Sequence, residues 1–291
     1  NTIRFFPDKK GLASGLITGG MGGAAIIAAP IANTLIERYG VSQAFWRMGL
    51  AYALIGFFFS LFTRSAPKQV VPQTAEGSEK APAKTITANK NWKEMLATPA
   101  FYLLILMFAM GAFSGLMIAS NASLIGQSMF GLSATAAAAY VSLYSLSNTS
   151  GRVFWGAVSD RIGQIRAVII IYSAIIFAFV LLVSVNQVWA FAAGVVTLGL
   201  CFGGVMGVFP GLVMDTFGPA NQGVNYGIVF IGFSSAAFIA PKVTASLAAA
   251  NNGDFTKAFY VAIAVVLLGL GLSLVYAKRK ADAKLAAEIV Q

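Results

Sequence analysis

Ionisable side chains are scarce in this 291-residue chain, with Asp, Glu, Lys and Arg making up 10% of it, and histidine is absent. The lack of histidine excludes imidazole acid/base catalysis and Cys/His zinc sites, so no metal and no cofactor is expected. Cysteine occurs once, at Cys201, which rules out a disulfide within the chain and reads as a small apolar packing residue. No Gly-x-x-x-x-Gly-Lys phosphate loop is present, which argues against an ATP-driven pump. Acidic residues are missing from the interior of every apolar segment. Asp160, Asp215 and Glu37 fall at segment ends, so no acid/base pair or nucleophile with its base can be assembled, and an enzyme is not expected.

What is present is apolar. Hydrophobic residues form 58% of the chain and the mean hydropathy is +0.77, values that place it in a bilayer. Thirty glycines, many inside apolar runs, allow helices to approach closely. About 20 apolar residues cross a bilayer as a helix. Eight segments qualify: 12–36, 44–63, 99–120, 133–158, 165–185, 188–213, 223–248 and 258–277. The polar stretch 64–96, rich in Pro, Ala, Lys and Glu, separates two spans from six and is expected to be largely disordered.

Fifteen of the twenty Lys and Arg residues lie on one side of this arrangement and three on the other, which puts both termini in the cytoplasm. Topology therefore accounts for the net charge of +10 without a nucleic-acid partner. The chain starts at Asn1, and NTIRFFPDKKG is too short and polar for a signal peptide, so the expectation is a piece that begins inside a longer protein.

Arg152 stands out because an arginine at membrane depth costs about 2.5–3.5 kcal/mol on insertion scales. Helical spacing puts it on one stripe with Thr149, Asn148, Ser145, Tyr144 and Val141, mostly polar, and such a stripe turns toward a bundle interior or a water-filled cavity. An arginine there stays charged and matches a carboxylate with a planar fork of donors. Its bland alternative is a structural arginine satisfied by backbone carbonyls. Weaker cavity or gate candidates are Asn225, Tyr226, Phe230, Met206 and Phe209, with Asn121 read as capping the outer end of the third span. Lys242, on the opposite face of its helix, is expected to snorkel to the outer interface.

Two turns look like copies of one another: Phe6, Gly11 and Gly15 in FFPDKKGLASG parallel Phe217, Gly223 and Gly227 in TFGPANQGVNYG. Internal repeats of this kind are how many transporter folds are built. More specific is Gly156-x-x-x-Asp160-Arg161-x-Gly163 at the cytoplasmic end of a span, which resembles the signature loop of the major facilitator superfamily. Here Asp160 can face the N-terminal end of a neighbouring helix and Arg161 can pair with a carboxylate, for which Asp215 is the candidate, so that the cluster acts as a conformational latch.

Within that superfamily FFPDKKGLASG, WKEMLATPAFYLL, SGRVFWGAVSDRIG and VFPGLVMDTFGPANQGVNYG together resemble the oxalate:formate antiporter family and its monocarboxylate-carrying relatives. The resemblance implies an all-α integral membrane protein of the major facilitator fold, with spans five to twelve of twelve present. Residues 1–63 would be the last two helices of the N-terminal bundle, 64–96 the inter-bundle linker, 97–277 the C-terminal six-helix bundle, and 278–291 a basic cytoplasmic tail. It also implies a secondary carrier, monomeric, in the inner membrane of a bacterium, with Arg152 at the position of the family's substrate-binding arginine. Monocarboxylate carriers place an aspartate one turn before theirs, where this chain has Asn148. The oxalate carrier's second cation, a lysine in its eleventh span, corresponds to Phe233. One fixed positive charge fits a single carboxylate such as pyruvate, lactate or formate. Oxalate/formate exchange and multidrug-type efflux remain as alternatives.

Overall fold

The computed structural model describes residues 2–63 and 89–289. The chain folds into helices α1 (Thr2–Phe5), a 3-10 turn (Pro7–Lys9), α2 (Lys10–Ser60), α3 (Trp92–Leu96), α4 (Pro99–Phe130), α5 (Ala134–Ile162), α6 (Gln164–Ser184), α7 (Val188–Phe217), α8 (Gln222–Ala249) and α9 (Thr256–Ile289). No strand occurs among the described residues. All eight apolar segments are helical. Five helices, namely α4, α6, α7, α8 and α9 as far as Ala283, are long and apolar enough to cross a membrane. The glycine-rich, kinked α2 is not among these five, and neither is α5, whose polar stripe lowers its hydropathy.

Most helices run past the apolar segment that predicts them, because the capping residues lie beyond it. Pro99 opens α4 and Gly131, at φ 63, closes it by donating its N–H to Gly126 O. Asn121 therefore sits inside α4 rather than capping it, and its amide donates to Met117 O at 3.0 Å. Ser133 caps α5 by accepting from Ala136 N–H. Gly163, at φ 90, lets the chain turn directly from α5 into α6, a backbone conformation that side chains resist. Gly40, at φ 77 and ψ 165, breaks α2 into two arms in the same way.

The stretch 64–96 is ordered at its end. Residues 64–88 lie outside the described residues, but Asn91 and Glu94 form a reciprocal capping box that starts α3. Asn89 and Lys90 are pinned to the turn between α7 and α8. Lys90 N–H donates to Phe217 O at 2.9 Å, Asn89 Oδ1 accepts from Ala220 N–H at 3.0 Å, and Lys90 O accepts from the amides of Asn221 and Asn225.

Helices α4 to α9 pack around one apolar core that includes Phe108, Phe179, Phe209, Phe217, Tyr172 and Phe259. The first arm of α2 lies against α5 and α7. Its second arm carries Phe45, Trp46, Phe57 and Phe59, and Phe62 follows it, each more than 60% exposed. Phe177, Trp189, Phe238 and Leu268 likewise point outward from the bundle, as a lipid-facing surface requires. The two copies of the sequence repeat both open long helices, yet they are used differently. A Cβ on Gly11 or Gly15 would strike the α5 backbone, whereas one on Gly223 or Gly227 would meet nothing.

Candidate functional site

Arg152 is the one charged side chain buried among the described residues, at 6% exposure. Its position follows from glycine on both sides of α5. On α7, Gly203 lies against the Asn148 carbonyl and Gly207 against that of Arg152, where a Cβ would approach to 2.6 Å. On α2, Gly15 meets the same Arg152 carbonyl from the other side, and Gly22 faces the guanidinium. With both neighbours stripped of side chains, α5 is clamped between two backbones, and the arginine extends into the space that the glycines leave.

Among the described residues no acid holds the guanidinium. Nη1 donates to Thr18 O of α2 at 2.7 Å, and Nε donates to Asn148 Oδ1 at 3.2 Å. Nη2 has no protein partner among the described residues, so its two N–H groups and one on Nη1 remain uncommitted, three of the five. Thr18 was not legible as a contributor, because a backbone carbonyl leaves no residue signature; the glycine run from Gly11 to Gly23 was the available clue. The rest of the polar stripe is spent otherwise. Tyr144 donates its hydroxyl to Gly115 O of α4 at 2.7 Å, while Ser145 is exposed and donates to Val141 O of its own helix at 3.0 Å.

Beside the arginine lies an aromatic wall contributed by four helices. Phe108 of α4 stacks on Phe209 of α7 at 4.6 Å between centroids and lies 5.7 Å from Phe230 of α8. Phe230 meets Phe233 at 4.8 Å, Phe233 meets Phe202 at 6.3 Å, and Phe202 meets Tyr144 at 6.5 Å. Tyr226 packs on Phe230 and Phe108 at 5.7 and 6.1 Å, and Tyr144 lies two turns before Arg152 on α5. Met206 is buried in the core, and Asn225 is buried with its amide on Lys90 O. Lys242 is exposed, with its ammonium 3.6 Å from the centroid of the Phe238 ring, and so brings no charge to this interior. Phe108 and Phe202 were missed by sequence reasoning because an interior aromatic looks the same whether it fills a core or lines a cavity.

The signature loop meets α2. No side chain caps the first turn of α2 from within the helix, and Asp160 of α5 takes that place, accepting from Gly11 N–H at 2.7 Å and Leu12 N–H at 2.9 Å. A carboxylate on two orphan N–H groups at a helix N-terminus gains both hydrogen bonds and the helix dipole. The close approach needs Gly156, where a Cβ would strike the Gly11 carbonyl. The expected Arg161–Asp215 pair does not form. Arg161 is exposed, and Asp215 pairs with Lys10 at 2.8 Å, because the α2 N-terminus sits between the ends of α5 and α7 and presents its lysine to α7. Asp160→Ala is expected to cost about 1–2 kcal/mol, which a thermal unfolding scan in detergent would read as a drop of about 2–4 °C per kcal/mol. An unchanged midpoint would mean that Asp160 does not hold α2.

Comparison with known proteins agrees with this architecture. The chain is 32% identical over 235 residues to an uncharacterised MFS-type transporter, YhjX, of Escherichia coli strain K12, covering 80% of this chain and 56% of that protein. It is 28% identical over 274 residues to the oxalate:formate antiporter of Oxalobacter formigenes, covering 93% and 62% respectively. The chain thus spans about three fifths of the length of these relatives. Among solved structures, a bacterial homologue of the iron transporter ferroportin in an outward-facing state aligns with a TM-score of 0.65 at 16% identity, over 94% of this chain and 65% of that one, a likeness of fold. The profile of the Major Facilitator Superfamily matches residues 2–241, and this multi-pass membrane chain belongs to that superfamily.

Proposed function

We propose that this chain is part of a secondary carrier that moves a small monocarboxylate, such as pyruvate, lactate or formate, across the inner membrane of a bacterium as a monomer. The observation that carries the reading is Arg152: a buried cation with no acidic partner among the described residues, three uncommitted N–H groups and an aromatic wall beside it. A buried charge left without a counter-charge is costly unless a ligand completes it. Phe233 stands in that wall, so the described residues bring a single fixed positive charge to the interior, which balances one carboxylate and leaves a dianion half neutralised.

In this reading 1–63 close an N-terminal bundle, 64–96 link the two bundles, 97–277 form the second bundle and 278–291 the tail, with both termini cytoplasmic. Alternating access would part the cytoplasmic cluster that joins Asp160 to the α2 N-terminus and Lys10 to Asp215.

Oxalate/formate exchange is the second reading, favoured by the likeness to the Oxalobacter antiporter. Uptake by the intact carrier in proteoliposomes separates them. Labelled pyruvate should enter and be competed by lactate, with oxalate competing at least about tenfold less well, the ratio expected when one charge-assisted contact of about 1.5–3 kcal/mol is missing. Oxalate competing as well as pyruvate would favour exchange, and uptake of an organic cation would overturn both.

A further inference from the structure

The buried tyrosine hydroxyls of the bundle interior are committed at Tyr144, Tyr172 and Tyr276 but not at Tyr226. Tyr144 donates to Gly115 O, Tyr172 to Met107 O, and Tyr276 shares a hydrogen bond with Thr216. The hydroxyl of Tyr226 is buried with no hydrogen-bond partner. A buried hydroxyl is normally paired, with protein, water or a ligand, and among the described residues Tyr226 is the one tyrosine whose buried hydroxyl has no protein partner, beside the unpaired oxygens of Ser14, Gln222 and Asn225. The ring is no loose arm: packing against Phe108 and Phe230 fixes where the phenol points. Ring contacts running from Tyr226 through Phe230, Phe233 and Phe202 to Tyr144 join it to the α5 stripe that carries Arg152.

Resting on the carboxylate reading of Arg152, we propose that Tyr226 is the second polar contact to the substrate, donating its O–H to an oxygen on C2 of a 2-oxo or 2-hydroxy monocarboxylate. The division of labour follows from chemistry. Arg152 offers paired N–H donors and a full charge, which suit the carboxylate. A phenol is neutral, donates one hydrogen bond and can also accept one, so it satisfies a ketone or an alcohol. The remaining surface, Phe108, Phe230 and Phe233, offers apolar contact and suits a short alkyl group. Formate has no C2 atom, and propionate carries no oxygen there; either would bind the arginine and leave the tyrosine hydroxyl as unpaired as before.

Sites built to hydrogen-bond a substrate oxygen discriminate strongly against analogues that lack it. The test is the KM of the intact carrier for pyruvate and for propionate in proteoliposomes, with and without Tyr226→Phe. The expected result is a preference for pyruvate of about tenfold or more that collapses toward one in the variant, through a raised KM for pyruvate and an unchanged KM for propionate. The substitution removes one unpaired oxygen from the interior, so the thermal midpoint should hold or rise. A pyruvate-to-propionate ratio that survives in Tyr226→Phe overturns the contact while leaving the role of Arg152 intact. A wild-type carrier that takes up neither acid overturns the carboxylate reading and the contact with it.

Discussion

Arg152→Gln is expected to reduce monocarboxylate uptake by about a hundredfold or more while the protein stays folded. Removing one member of a buried, hydrogen-bonded charge pair costs about 2–5 kcal/mol, and each 1.4 kcal/mol is a factor of about ten. The structural loss is much smaller. Glutamine keeps an N–H donor at about the position of Nε, where Asn148 Oδ1 accepts, and gives up only the Nη1 contact to Thr18 O on α2. It also relieves the protein of a buried charge with no acidic partner among the described residues, so the unfolding midpoint in detergent should not fall. Arg152→Lys should lie between the two, with the charge retained and the planar fork lost, and should show mainly as a raised KM. The alternative role is as distinct: if the glutamine variant carries substrate normally but melts earlier, the guanidinium serves to tie α2 to α5 through Thr18 and Asn148, and no anion is bound there.

The parts of this molecule that could be read from sequence are those decided within one helix. Apolar runs placed every long helix, and glycine and serine signals accounted for ends such as Gly131 and Ser133 once the helices were seen to run past their apolar stretches. The cost of a charge in hydrocarbon singled out Arg152 without reference to any neighbour. What periodicity does not contain is which helix stands opposite. It put Tyr144, Ser145, Asn148 and Arg152 on one stripe, but α5 is packed on two sides, so the stripe divides: Tyr144 turns to α4 and Arg152 to α2. Arg161 and Asp215 are expected to pair because both lie at helix ends read as facing the same side; Lys10, more than two hundred residues away in sequence, is a partner that the packing of α2 brings there. Tyr226 illustrates a different limit. Its interest lies in a hydrogen bond that is not made, and an unmade bond is visible only when all the neighbours are known.

The same reasoning predicts where the fold is least forgiving. Gly199, Gly203, Gly207 and Gly211 recur every four residues along α7 and so form one ridge. At the first three the neighbour is α5. A Cβ at Gly199 would lie 2.7 Å from Tyr144 O, and one at Gly203 would strike Asn148 O and lie 2.8 Å from Arg152 N. From the opposite side a Cβ on Gly151 would lie 2.7 Å from the Cα of Leu200. These neighbours are backbone atoms, so no side chain can rotate away, and the helices themselves must separate. Gly203→Ala is therefore expected to destabilise by at least the 1–3 kcal/mol or so typical of an overfilled core, although alanine is by about 1 kcal/mol the better helix former. Gly271→Ala on α9 is the control, since a Cβ there meets nothing within 4 Å and helix propensity should act alone, leaving stability unchanged or raised. Thermal unfolding of the two variants in detergent reads the contrast directly. Uptake reads its consequence: the α5 backbone that Gly203 touches is the segment from Asn148 to Arg152, so pushing it off α7 should move the guanidinium and lower transport with every polar residue of the site still present. Equal stability of the two alanine variants would show that α5 does not rest on the α7 ridge, and the position of Arg152 would then have to be set by α2 alone.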